Sequence, residues 1–354
     1  MNARRNRLVG SLVVIIALVV LAGTPTLGQT FNSGSTGADG PFSPASNTTL
    51  ALPPSGVFNF TTINIPAGVT VTFTKNAANT PAILLATGAV TINGTVDVSG
   101  SAGGSFGRPG LGGPGGFDGG SGADGITTGV GGIGLGPGGG GGAGAGQNGG
   151  GGGGYLTAGT AGFGGTGVGG PAYGTLNLRP IVGGSGGGGG GGSVNSFYGG
   201  GGGGGGGAIV VASSTSIALG TSTGTVAIRA NGGTGGSGGL SFTEGGGGSG
   251  GAIRLIAPTI SGVGQLRAQG GTLGANGRLR LEATTLSFAG STTPIASQAF
   301  PPARVPGNGA AYAHHRECGR HCRSRHARWQ LPDGAGYPTA HGHHQPRGGR
   351  PYCE

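Results

Sequence analysis

The sequence predicts an all-β protein, built as a right-handed parallel β-helix (a solenoid) with long glycine-rich loops. Three observations predict this fold. Short segments alternate β-branched with polar residues, a strand unit recurs with a spacing near 25 residues between its last two copies, and glycine-rich tracts lie between the copies. No segment of residues 57–299 has the periodicity of a helix. The alternative fold is a β-sandwich, which would not require the strand unit to recur.

Residues 1–28 have the features of a signal peptide. Arginines are concentrated in Met1–Arg7, an apolar run (LVGSLVVIIALVVL) covers 8–21, and small residues follow it. That run is shorter than the ~20 residues needed to span a bilayer. We therefore expect a protein that is secreted or exposed at the cell surface. Cleavage between Ala22 and Thr30 would leave no stable membrane span.

A polar segment, residues 29–56, precedes the first predicted β-coils at 57–100. Between 90 and 98, valine and isoleucine alternate with threonine, asparagine and aspartate, which is typical of strands buried on one face. Four residues are expected to face inward: Val90, Ile92, Val96 and Val98. Four are expected to face outward: Thr91, Asn93, Thr95 and Asp97.

The strand unit that begins PAILLA at residue 81 recurs as GAIVVA at 207 and as GAIRLI at 251, with a partial copy, GRLRLE, at 277. A unit that cannot bury its apolar face alone must stack on the next one. Residues 208–299 are therefore predicted to form further coils of the same β-helix.

Residues 101–207, more than half of them glycine, form an insertion between the first two copies of the unit. From Gly104 to Gly125 a glycine occupies every third position, which is compatible with polyproline-II segments packed side by side. Long uninterrupted glycine runs, however, carry a large entropy cost of ordering. We therefore predict a flexible or loosely packed tract, with the ordered packing as the alternative.

The composition does not favour an enzyme, a cofactor or a metal site. Charged residues make up only 8% of the chain, and every histidine and cysteine lies beyond residue 300. A β-helical polysaccharide lyase or hydrolase, which is the alternative, would need paired carboxylates. One match to a calcium-binding repeat, at 119–127, is followed by nine residues without an aspartate. The acids before residue 300 are scattered: Asp39, Asp97, Asp118, Asp124, Glu244 and Glu282.

The charge of the chain is unevenly distributed. The formal net charge is +10, but residues 29–300 contribute only +2, so nucleic acid is not an expected partner. Five arginines occupy outward positions of the later strands, where they would form a strip for acidic glycans or simply a solvated face that blunts strand pairing. These are Arg229, Arg254, Arg267, Arg278 and Arg280. Outward threonines at 70, 72, 74, 91 and 95 leave ice binding as a further alternative.

Residues 300–354 form an irregular tail rich in arginine, histidine and cysteine, without strand or helix periodicity. Its closely spaced ligand types suggest zinc: Cys318, His321, Cys322 and His326. Structural zinc sites, however, prefer two well-separated ligand pairs. We favour a frameshift as the origin of this tail, in which case the true C-terminus is missing and no site belongs here.

Two phrases of the sequence, PAILLATGAVTINGTVDVSG and GGAIRLIAPTISGVGQLRAQGG, together with the glycine tracts, resemble a group of glycine-rich exported bacterial proteins. The resemblance covers roughly residues 57–290 and implies a β-helical, adhesin-like surface protein without transferred catalytic residues. We expect a structural or adhesive protein without catalytic activity. The alternatives are a β-helical carbohydrate-active enzyme and a glycan- or ice-binding module. Its expected partner is a cell-surface or extracellular polysaccharide.

Overall fold

The computed structural model of the chain describes residues 31–127, 129–220 and 222–302. The predicted signal peptide and almost all of the predicted irregular tail lie outside these residues. So do the cysteines and histidines considered for zinc.

The described residues form β-strands and extended segments, and none of them lies in a helix. The all-β prediction is therefore confirmed. We call the fifteen strands together the strand body. They are β1 (Thr48–Ala51), β2 (Val57–Phe60), β3 (Ile63–Ile65), β4 (Thr70–Thr74), β5 (Ala82–Ala86), β6 (Val90–Ile92), β7 (Thr95–Asp97), β8 (Ala208–Ser213), β9 (Ser216–Leu219), β10 (Val226–Arg229), β11 (Ala252–Gly262), β12 (Gln265–Arg267), β13 (Arg278–Phe288), β14 (Thr292–Thr293) and β15 (Ser297–Ala299).

Strand pairing follows a regular rule along the chain. Each of β1 to β7 pairs with the strand three places later, and β11, which is long, pairs with both β8 and β9. The result is a six-stranded first sheet (β1-β4-β7-β10-β12-β14) and a second sheet that contains the other nine strands. All pairs between the fifteen strands are parallel. The β-sandwich alternative is wrong, because such sandwiches are built from antiparallel sheets.

Aliphatic side chains from successive copies of the strand unit stack in register and form the main core. Leu84, Val211, Leu255 and Leu281 are consecutive cross-strand partners in β5, β8, β11 and β13, and all are buried. The predicted alternation at 90–98 is confirmed, since the four inward residues are at most 1% exposed and the four outward residues are partly exposed. Removal of this apolar surface from water stabilises the strand body.

The outer face of β5, β8 and β11 is also covered by protein. Leu85, Val210 and Ile256 lie there in a second apolar cluster with Phe31 and Ile181. Because both faces of β5 are apolar, the sequence repeat does not determine which residues of β5 pair with which residues of β8. Ala82, rather than Ile83, pairs with Ile209, so the first copy of the unit is offset by one residue from the later copies. A one-residue offset turns Ile83 away from the main core.

The glycine-rich segments form a second, hydrogen-bonded region, which we call the glycine bundle: the described residues of 100–207, 230–251 and 268–277. Its segments bond to one another at every third residue. The N–H groups of residues 117, 120 and 123 donate to the carbonyls of 184, 187 and 190, respectively. This three-residue period is that of polyproline-II helices. The prediction of a flexible tract is therefore wrong, and the ordered alternative describes the structure.

The segment at 184–191 lies at the centre of the glycine bundle. Successive residues of this segment point their N–H and carbonyl groups in three directions around its axis. In each direction the N–H groups donate to one neighbouring segment and the carbonyls accept from another. Gly187 N–H donates to Gly203 O at 2.9 Å, and Gly188 N–H donates to Gly151 O at 2.8 Å. Six segments surround it in this way: 117–123, 131–135, 140–146, 148–151, 200–206 and 244–249.

The long glycine runs are explained by this packing. A Cβ atom at Gly201, Gly202 or Gly203 would lie less than 3.0 Å from the backbone of a different neighbouring segment in each case. None of the three has a positive φ, so space rather than backbone conformation requires glycine there. The every-third glycines near 110 all face the run at 199–207. A Cβ at any of them would lie less than 3.0 Å from the backbone of that run: Gly110, Gly113, Gly116, Gly119 and Gly122.

Candidate functional site

The structure divides the five predicted arginines between the two sheets instead of placing them in one strip. Arg229 and Arg267 are cross-strand partners in the first sheet. Arg229 Nη2 lies 2.8 Å from Asp97 Oδ2, and Arg267 donates to Gln265. Arg254, Arg278 and Arg280 lie in the second sheet, where Arg254 and Arg280 are cross-strand partners.

Two arginines of the second sheet, Arg254 and Arg280, converge on one buried carboxylate, that of Glu282. Arg254 Nε and Arg280 Nε each donate to Glu282 Oε1 at 2.8 Å. The register of β11 and β13 produces this arrangement, because Glu282 follows Arg280 by two residues and therefore shares its face. The side chains of Arg254 and Glu282 are only 5% and 1% exposed, so this group is not the solvated face that the outward positions suggested.

The segment at 173–183 covers this charged group, and two tyrosines hold it in place. The Tyr155 hydroxyl donates to Val182 O at 2.9 Å, and the Tyr173 hydroxyl donates to Gly183 O. Burial raises the pKa of both tyrosines above the ordinary value, so both remain neutral donors at physiological pH. The segment carries Arg179, whose Nη2 lies 3.9 Å from Glu282 Oε2. Burial, and then the Arg254 guanidinium, lower the pKa of Arg179.

A shallow groove lies where the strand body meets the glycine bundle. Its charged groups are already paired: Lys75 Nζ lies 3.0 Å from Asp118 Oδ1, and Asp97 pairs with Arg229. Asp118 Oδ1 also accepts the N–H of Gly112 at 2.7 Å. The groove therefore joins the two regions and presents no unpaired charge of its own.

The glycine bundle exposes large apolar side chains, whereas the strand body buries its own. Among the described residues, two large exposed hydrophobic residues, Ile295 and Phe300, lie outside the bundle. The others lie within it: Phe106, Leu111, Ile126, Val130, Ile133, Leu135, Leu156, Phe163, Val168, Leu176, Val194, Leu240 and Phe242. The cause is geometric, because only hydrogen fits where the segments approach most closely, so most of the larger side chains point outward. Tyr155 and Leu178 are buried exceptions that pack against Ala208 and Ala252 of the second sheet.

Four aromatic residues on this surface form two stacked pairs. The ring centroids are 4.3 Å apart in the pair Phe106–Tyr198 and 4.1 Å apart in the pair Phe163–Phe242. Phe106 and Phe242 have positive φ values of 57° and 73°, a conformation that costs a bulky residue about 1–2 kcal/mol. Glycine would adopt it without this cost, so the aromatic side chains are retained at the expense of local stability.

No family model matches this chain, and neither do the curated proteins or the solved structures with which it was compared. The resemblance to glycine-rich exported proteins stays a prediction.

The remaining candidate motifs are dispersed or engaged locally. Asp124, in the calcium-like repeat, accepts hydrogen bonds from the N–H groups of Ile126 and Thr127 at 2.9 Å. The part of the chain that the structure describes holds no group of three acidic, histidine or cysteine side chains arranged for a metal ion. The threonines considered for ice binding are divided between sheets, since Thr91 lies in the second and the others in the first. No helix within the described ranges is long and apolar enough to cross a membrane.

Sequence reasoning missed two parts of these surfaces, Arg179 and the exposed apolar residues. Arg179 meets Glu282 only through the folding of a distant segment, and nothing in its local sequence indicates that contact. The exposed apolar residues did carry a signal. In a tract where only glycine fits at the closest contacts, most large side chains must lie at the surface.

Proposed function

We propose that this chain is a secreted or cell-surface protein with a structural and adhesive role and without catalytic activity. We further propose that its strand body is a right-handed parallel β-helix. What supports the β-helix is the three-strand interval of the pairing, the exclusively parallel register of the fifteen strands and the stacking of equivalent leucine and valine side chains.

The observation that carries the adhesive role is the exposed apolar surface of the glycine bundle. Exposed large apolar side chains that lie in contact, as in the two stacked aromatic pairs, commonly mark binding sites. Here the exposure is built into the architecture, because the bundle is held by backbone hydrogen bonds and leaves its side chains free for contact.

The proposed partner is an extracellular polysaccharide. Stacked aromatic rings such as Phe163–Phe242 provide flat apolar faces that match the C–H faces of pyranose rings. The near-neutral charge of residues 29–300 favours a neutral polymer over nucleic acid. Three of the acids, Asp39, Asp97 and Asp118, are engaged with Asn59, Arg229 and Lys75, which supports a binding role rather than acid–base catalysis.

Retention on microcrystalline cellulose tests this proposal. The variant with Phe106→Ser, Tyr198→Ser, Phe163→Ser and Phe242→Ser should partition onto cellulose about tenfold less than the wild type, because each stacked pair is lost. The full chain is used at about 0.5 M salt, which screens exposed charges and isolates the apolar contribution.

The matched control removes exposed apolar side chains from outside the bundle, through Ile295→Ser and Phe300→Ser. It should change retention less than twofold. An unretained wild-type protein, or equal losses in the two variants, would overturn the proposal. Unchanged thermal unfolding of both variants shows that any loss of retention is not a loss of folding.

A further inference from the structure

The group around Glu282 contains more positive than negative charge among the described residues. Arg254 and Arg280 donate to the same oxygen of Glu282, and Arg179 lies near the other oxygen. Arg278, two residues before Arg280 on β13, is also buried, at 9% exposure. Buried charge of one sign is costly unless an opposite charge compensates it.

One donor in this group lacks an acceptor. Arg254 Nη2 is inaccessible to solvent and makes no hydrogen bond. A guanidinium group has five N–H donors, and buried donors are normally satisfied. The Nε of Arg254 already binds Glu282, so Nη2 is the part of the fork that remains for a second acceptor.

Arg229 provides a contrast within the same chain. Its Nε is also without a hydrogen bond, but its side chain is 43% exposed and paired with Asp97. Arg267 is its cross-strand partner, but because much of the Arg229 side chain is exposed, water stabilises the positive charge there. Arg254 combines an unsatisfied donor with a side chain that is only 5% exposed and lies among further arginines.

We propose that Arg254, Arg280 and Arg179 form a binding site for a phosphate or sulfate group. Arg254 and Arg280 lie on adjacent strands, and Arg179 lies on the segment that the tyrosines hold. Each guanidinium carries paired N–H donors in a planar fork, which matches the oxygens of such anions. Arg179 is the most exposed of the three, at 41%, so the ligand enters from its side. This inference is independent of the adhesive surface and survives a failure of the cellulose experiment.

The direct test is isothermal titration of the full chain with inorganic phosphate, at constant ionic strength maintained with chloride. Wild-type protein should bind one phosphate per chain, and Arg179→Gln should weaken binding at least tenfold. Arg267→Gln is the matched control, because it removes the same charge from an outward position of the first sheet. It should change the affinity less than twofold.

A second arm uses glucose 6-phosphate in place of the inorganic ion. Equal affinity for both identifies an esterified group as an acceptable ligand, whereas binding of inorganic phosphate alone identifies the free ion. Absence of phosphate binding by the wild type overturns the proposal, as does an equal loss in Arg179→Gln and Arg267→Gln. Arg179 lies partly exposed on the covering segment, and unchanged thermal unfolding of Arg179→Gln shows that a loss of binding is not a loss of folding.

Discussion

The strand body and the glycine bundle make one compact unit by opposite means. In the strand body, stacked aliphatic side chains such as Leu84 and Leu255 fill the interior. In the bundle, the interior is mostly backbone, and segments such as 184–191 are held by hydrogen bonds to six neighbours. Leu255, in the strand body, is fully buried, whereas Leu111, on the surface of the bundle, is 61% exposed.

Because the bundle is ordered by backbone contacts, glycine content by itself does not distinguish an ordered segment from a flexible one. A glycine run pays a high conformational entropy cost on ordering. In the bundle that cost is offset because, without side chains, the segments approach closely enough for every third N–H of one segment to donate to the same neighbouring segment. Flexible glycine linkers lack such neighbours.

The largest expected effect is that of a single methyl group at the centre of the bundle. Gly202→Ala places a Cβ less than 3.0 Å from the backbone of Gly187, which is itself surrounded and cannot move aside. We expect the free energy of unfolding to fall by about 4 kcal/mol or more, as measured by urea denaturation. Alanine restricts the unfolded chain more than glycine does, which by itself would raise the free energy of unfolding. A fall in that free energy must therefore come from crowding in the folded state.

Gly165→Ala is the control for backbone conformation. Gly165 has a φ of +73° and no atom within 4 Å of an added Cβ, so its cost should be about 1 kcal/mol. Similar losses in the two variants would show that the close approach of segments does not determine the stability of the bundle.

The second prediction compares a buried leucine of the strand body with an exposed leucine of the glycine bundle. Leu255→Ala removes a fully buried side chain between Val211 and Leu281 and should lower the free energy of unfolding by about 3 kcal/mol. Leu111→Ala, on the bundle surface, should change it by less than about 0.5 kcal/mol. A large loss in the Leu111 variant would mean that the bundle also depends on side-chain packing.

The fold could be predicted from sequence where contacts repeat locally. The alternation from Val90 to Val98 indicated both the strands and their buried face, because strand periodicity acts over a few residues. The offset of Ile83 could not be predicted, since both faces of β5 are apolar. The ordered packing of the glycine tract was only the less favoured alternative, for another reason. Its hydrogen bonds join segments far apart in the chain, such as 117–123 and 184–191, and glycine carries no side chain to indicate a partner.

The candidate sites show the same limit. The outward positions of Arg254 and Arg280 follow from alternation. Their burial around Glu282 depends on the covering segment at 173–183, which belongs to the glycine-rich insertion. Local patterns therefore predicted which face the arginines occupy but not what covers them.

The smallest of the expected effects concerns the joint between the two regions. Tyr155 and Tyr173 fasten the segment at 173–183 over the second sheet, and their folded-state pKa values are raised, chiefly by burial. Above pH 10 the unfolded chain loses these phenolic protons while the folded chain keeps them. The folded state then binds more protons, and stability falls as pH rises, by about 1.4 kcal/mol per pH unit for each tyrosine. Below pH 10 both states are protonated, and these tyrosines do not make stability depend on pH.

Urea denaturation between pH 9 and 11 should show a shallower decline of the free energy of unfolding for Tyr155→Phe than for Tyr198→Phe, which changes a tyrosine on the bundle surface. Equal slopes in the two variants would mean that Tyr155 is not enclosed at this joint, and that the bundle does not cover the second sheet as closely as the strand body covers its own core.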